Sequence, residues 1–125
     1  MDTPQTILII EDDDFLRSLA VTKLQKEGFN VTTAADGELG MTALQENKPD
    51  ILLLDMMLPK VDGFEILANI QNDPNYASMK KIVFSNLGSE EDIRRGSELG
   101  AENFLIKSRS TLDELVQKIK DTLNT

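Results

Sequence analysis

The sequence predicts an α/β fold built on a parallel sheet of five strands and five helices, and three observations carry that expectation. Short apolar runs alternate with longer stretches of helical period along the whole chain. Most of the apolar runs are uninterrupted, as in Ile7-Leu8-Ile9-Ile10 and Ile51-Leu52-Leu53-Leu54, which marks strands covered on both faces. Each such run also ends abruptly in polar residues: Glu11-Asp12-Asp13-Asp14 after the first, Asp55 after the third, Ser85-Asn86 after Ile82-Val83-Phe84, and Lys107 after Phe104-Leu105-Ile106.

Strands are expected near 6–11, 30–34, 50–55, 81–85 and 103–106. Four are apolar enough for burial on both faces, whereas Val31-Thr32-Thr33-Ala34 is more polar and suits a sheet edge. The first helix, about 14–27, can bury Leu16, Leu19, Ala20 and Leu24, with Asp13 or Asp14 as its N-cap and Gly28 closing it. Further helices are expected near 37–47, 63–72 and 89–99. In the last of these, Ser89 caps a turn rich in Glu90, Glu91 and Asp92, where acidic charge matches the helix dipole, and Gly100 stops it. The final helix is the clearest. Leu112, Leu115, Val116, Ile119 and Leu123 share one stripe, and Thr111 with Glu114 fits a capping box.

Composition narrows the chemistry. The 125 residues suit one domain, read as residues 1–125 with a core of about 5–124 and no output domain attached. With 22 acidic against 13 basic residues the formal charge is −9, which repels nucleic-acid phosphates and argues against direct nucleic-acid binding. The chain has no cysteine, which removes disulfides and thiolate chemistry. It has no histidine, which removes imidazole zinc sites, histidine triads and any phosphohistidine of its own. No segment approaches the roughly 18 apolar residues of a membrane span, and the N-terminus lacks a signal-peptide pattern, so a cytoplasmic location without membrane insertion is expected.

If the strands are parallel, their polar ends meet on one rim. Glu11 and Asp12 from one strand end and Asp55 from another then supply oxygen ligands for a divalent cation of the Mg²⁺ type, which takes only one or two protein carboxylates alongside water and phosphate oxygens. Without a cation these carboxylates repel, and at least one pKa should rise. With the charge offset, Asp55 can attack phosphorus and form an acyl phosphate. Lys107 can pair with a phosphoryl oxygen across the strand ends, and Ser85 can donate a hydrogen bond to another.

Taken together, Glu11-Asp12 with Arg17 five positions after Asp12, Asp55-Met56-Met57-Leu58-Pro59 with Asp62-Gly63, Ser85 and Lys107 resemble the receiver domain of a two-component response regulator, of the chemotaxis-regulator type, over nearly the whole chain. The resemblance implies a doubly wound, flavodoxin-like sheet of order 2-1-3-4-5. It also implies Asp55 as phosphoacceptor, a metal site of Glu11 (directly or through water), Asp12, Asp55 and the Met57 carbonyl, and Ser85 with Lys107 as the pair that senses the phosphoryl group. Its cofactor would be Mg²⁺, its donor a histidine kinase or histidine phosphotransfer protein, and its output a contact with a downstream protein effector. Any activity of its own would be self-phosphorylation and weak autophosphatase activity.

Three positions depart from the family's usual pattern. The switch aromatic falls on Phe104, where a tyrosine hydroxyl is common. Asn86 replaces a smaller residue, and its bulk is expected to narrow the approach to Asp55. Ser108 replaces a proline, so a trans peptide is expected after Lys107. Met57 and Leu87, both apolar, cannot orient an attacking water, which predicts slow loss of the phosphoryl group. These departures motivate an alternative, a degenerate receiver that binds partners without phosphorylation. A hydrolase with an aspartyl nucleophile would need a second acid at the position of Met57, and a flavin protein would not place four acids at its phosphate loop.

Overall fold

The computed structural model describes residues 4–124. Five strands, β1 (Thr6–Ile10), β2 (Asn30–Ala34), β3 (Ile51–Leu54), β4 (Lys80–Ser85) and β5 (Asn103–Ile106), alternate with five helices, α1 (Asp14–Lys26), α2 (Gly37–Glu46), α3 (Gly63–Gln71), α4 (Glu90–Glu98) and α5 (Leu112–Leu123). All strand pairs are parallel and their order is β2-β1-β3-β4-β5, as the resemblance implied. Element ends lie within about a residue of the sequence-based expectations.

Because successive strand side chains point to opposite faces, the sheet divides its apolar residues between two layers. Ile7, Ile9, Ile51, Leu53, Ile82 and Phe84 pack against Ala20 and Leu24 of α1 and Leu115 and Ile119 of α5. Leu8, Ile10, Leu52, Leu54 and Val83 pack on the other side with Leu44 of α2 and Phe64, Ile66, Leu67 and Ile70 of α3. The uninterrupted apolar runs are therefore two interleaved period-two patterns, each with its own helical layer.

Helix starts follow the local chemistry. Asp13, Asp36, Asp62 and Ser89 each accept the backbone N–H of the third residue of the following helix, and Thr111 with Glu114 forms a complete capping box. Gly28 and Gly100 take positive φ angles of 94° and 100°, the left-handed conformation that closes α1 and α4.

Two packing expectations are corrected. Leu19 was expected in the core, but it is 40% exposed: of the residues of α1 only Ala20 and Leu24 turn fully inward. β5 was expected to be covered on both faces, yet all four of its residues are only half-buried. It is the sheet's second edge, and α4, the helix over it, buries just one residue, Gly96.

Candidate functional site

The carboxyl ends of β1, β3, β4 and β5 converge as the sequence predicted. The Asp55 N–H donates to the Ile10 carbonyl at 3.1 Å, extending the β1–β3 ladder by one step and fixing the residue at the sheet's rim. Its side chain is almost fully buried, and both oxygens are engaged. Ser85 Oγ donates to Oδ1 at 2.6 Å, the Met57 N–H donates to the same oxygen at 3.0 Å, and Lys107 Nζ donates to Oδ2 at 2.7 Å.

Glu11 is equally buried. One carboxylate oxygen accepts from Lys107 Nζ at 2.7 Å and the other from the Asp13 N–H at 3.1 Å. Lys107 thus bridges two carboxylates delivered by different strands. Burial raises the Glu11 pKa above its ordinary value of 4.5, and the nearby Asp55 charge adds to the rise; hydrogen bonds from Lys107 and Asp13 pull against it. For Lys107, burial favours the neutral amine, but the bonds to Asp55 and Glu11 outweigh it and hold the ammonium above its ordinary value of 10.5. Lys107 therefore stays charged under any ordinary condition.

Asp12, by contrast, is exposed at the mouth of this pocket. Glu11, Asp12 and Asp55 each offer one carboxylate oxygen, and these three atoms all lie within 4.8 Å of one another. An all-oxygen donor set of this charge fits a hard divalent cation such as Mg²⁺. Met57, the fourth proposed ligand, lies beside them with its amide on Asp55 and its side chain 55% exposed.

Phe104 is half-buried and packs against the core layer of α2 and α3. A methyl group built on Gly96 would meet its ring at 2.9 Å, so α4 comes this close only because that position carries no side chain. Asn86 is exposed, and Lys107–Arg109 forms a single 3-10 turn, with no cis peptide among the described residues.

Two contributors escaped the reading of the sequence. Gly63 donates its N–H to the Met56 carbonyl, and a Cβ there would sit 2.6 Å from the Asp55 carbonyl oxygen, so the chain after β3 folds back over the Asp55 backbone only with glycine at this place. Asp62-Gly63 was noticed as a motif, but nothing in it discloses the close approach. Arg17 was noticed for its spacing alone; its guanidinium lies on the Glu11 carbonyl.

Residues 7–120 match the response regulator receiver domain family. This chain belongs to that family. It is 32% identical, over 98% of its length, to a probable transcriptional regulator ycf27 of Guillardia theta, and 35% identical, over 94%, to the phosphate regulon transcriptional regulatory protein PhoB of Rhizobium meliloti. It covers 47% and 51% of those proteins, so it spans about half the length of the curated relatives it matches. Among solved structures, a putative response regulator from Chloroflexus aurantiacus superposes with a TM-score of 0.89 at 29% identity, covering 98% of this chain and all of the other. The Mn(2+)-bound form of response regulator Rcp1 superposes with a TM-score of 0.84 at 30% identity, covering 94% and 93% of the two chains. The receiver domain found here is thus a module of two-component signalling, and no described helix is long and apolar enough to cross a membrane.

Proposed function

We propose that this receiver is a phosphorylation switch in which Asp55 accepts a phosphoryl group, with Mg²⁺ as cofactor, from a phosphohistidine on a histidine kinase or phosphotransfer protein. The observation that carries the reading is the convergence of Ser85, Lys107, Glu11 and Asp12 around the buried Asp55 carboxylate. An Asp55 oxygen attacks phosphorus, the P–N bond to the donor imidazole breaks, and the imidazole leaves and takes up a proton. Glu11, Asp12, Asp55 and the Met57 carbonyl would hold the metal, which when bound neutralises charge on the transferring phosphoryl oxygens. A solved structure of the Mn(2+)-bound form of response regulator Rcp1, 30% identical, supports a divalent cation in this fold.

Lys107 and Ser85 now bond to Asp55 itself. Once an Asp55 oxygen carries phosphorus, both donors are free to follow the new charge, about −1.5 to −2 for a phosphorylated side chain. Ser85 sits at the end of β4, and its Oγ also accepts from the Leu87 N–H at 3.4 Å, so its movement pulls on the loop leading to α4. Phe104, which rests on α4 at Gly96, is placed to follow. Output then comes through protein contact on the face of α4, β5 and α5. Met57 and Leu87 bring no polar side-chain atom to orient a water, which favours retention of the phosphoryl group.

The test is incubation with acetyl phosphate and Mg²⁺, read by intact mass, for the native chain and for Asp55→Asn. A mass gain of one phosphoryl group in the native chain, absent without Mg²⁺ and absent in Asp55→Asn, is expected. No gain in the native chain would replace this reading with that of a phosphorylation-independent interaction module.

A further inference from the structure

The Glu11 residue is held from two sides. Its N–H donates to the Ala34 carbonyl of β2 at 3.0 Å. Glu11 lies one residue past β1, and although its N–H still bonds to β2, no main-chain N–H among the described residues donates to its carbonyl. The peptide joining Glu11 to Asp12 would therefore have no main-chain anchor on its carbonyl side. Arg17 supplies one, donating from Nη1 to the Glu11 carbonyl at 2.8 Å while Nη2 bonds to Asp14.

The guanidinium is set firmly. Arg17 lies in the first turn of α1 with its N–H on the Asp13 carbonyl, and its side chain is only 19% exposed. With Leu16, Ala20, Ile9, Leu53 and Phe84 it walls a small apolar pocket beneath Glu11 and Asp55. Its charge is partly spent on Asp14, leaving a planar fork that closes the turn from Glu11 to Asp14 upon itself. A lysine at this position would keep the charge but could not span both acceptors.

From this geometry we infer that Arg17 is a positioning residue for the cation site: by clamping the Glu11 carbonyl it fixes the Glu11–Asp12 peptide, and so the directions in which the two neighbouring carboxylates meet the metal. The Arg17 side chain bonds to the Glu11 carbonyl and to Asp14, and to none of the Glu11, Asp12 or Asp55 carboxylates. Two of its influences oppose each other. The clamp favours metal binding by removing freedom from the acidic turn, whereas a positive charge this close disfavours it. Asp14, itself exposed, offsets part of that charge, and we take the clamp as the larger influence.

The inference rests on the metal site proposed above, and the experiment separates the two. Mg²⁺ binding to the full chain is measured by calorimetry for the native protein, Arg17→Lys, Arg17→Met and Asp12→Asn, with thermal unfolding of each metal-free protein alongside. Arg17→Met retains an unbranched apolar stem for the pocket wall and removes the charge. Weaker Mg²⁺ binding by about three- to tenfold in both Arg17 variants, with cooperative unfolding preserved, is expected. Tighter binding in Arg17→Met, which would make the charge the larger influence, overturns the inference, as does native affinity in either Arg17 variant. Loss of stability with unchanged Mg²⁺ affinity overturns it too, because that is the behaviour of a purely structural arginine. If native protein and Asp12→Asn bind Mg²⁺ equally poorly, the metal site itself fails.

Discussion

The middle of the sheet and its β5 edge are built on different terms. β1 and β3 are closed on both faces and flanked on both sides by other strands, and the residues that follow them, Glu11 and Asp55, inherit that rigidity. β5 has a neighbour on one side only, its four residues are half-buried, and α4 above it turns a single glycine inward while spending most of its sequence on charge. A chemical site needs the first kind of support, since its groups must hold their positions to within a fraction of an ångström. A signalling surface needs the second, because a segment with little buried apolar area opens or shifts at small free-energy cost. In the proposed switch the two would meet at Ser85 and Phe104.

Truncation should show the contrast most strongly. Leu52 is fully buried at the centre of β3, and Leu52→Ala should cost about 2–5 kcal/mol, whereas Leu105→Ala on the half-buried edge should cost about 1–2 kcal/mol. Urea unfolding monitored by circular dichroism gives both numbers, and equal costs would abolish the distinction. Two glycines sharpen it. Gly63→Ala forces a methyl against the Asp55 carbonyl and the Met56 backbone, which cannot yield, and should destabilise by about 2–3 kcal/mol and slow phosphorylation. Gly96→Ala meets only the Phe104 ring at 2.9 Å and gains up to about 1 kcal/mol of helix propensity, so its net cost should be within about 1 kcal/mol. Chemical denaturation with a parallel acetyl phosphate assay separates the two variants.

The smallest effect concerns what the rigid centre tolerates. Burial raises the Glu11 pKa in the folded state, so between 4.5 and that raised value the native protein binds more protons than the unfolded chain. The stability that protonated Glu11 contributes is complete below 4.5 and is lost as pH rises through the raised pKa. In metal-free protein, stability should fall across that window by more in the native chain than in Glu11→Gln. Melting temperatures taken in steps from pH 4 to pH 7 provide the check; parallel curves would show that Glu11 carries no such penalty.

How far the sequence could be read depended on the range of the interactions involved. The parallel strands were legible in Ile7-Leu8-Ile9-Ile10 and Ile51-Leu52-Leu53-Leu54 because burial on both faces leaves no polar position along a run. The caps at Ser89 and Thr111 were legible because a side chain reaching three residues ahead is a local event. The membership of the site, Glu11, Asp12, Asp55, Ser85 and Lys107, followed from polar residues placed just where apolar runs stop. Leu19 was misplaced because helical period gives a stripe but not the angle at which the helix settles on the sheet.

Sequence alone therefore determined which residues could form strands, where helices start, and which polar groups stand at the strand ends, since each of these follows from neighbours along the chain. Tertiary structure decided what those groups do to one another. It placed Lys107 between Glu11 and Asp55, set Arg17 on the Glu11 carbonyl, and made β5 an edge beneath a sparsely anchored α4. The reason is physical: these contacts join residues far apart in the chain or depend on how whole elements settle, and only the packing of helices on a shared sheet fixes the distances across which charge and hydrogen bonding act.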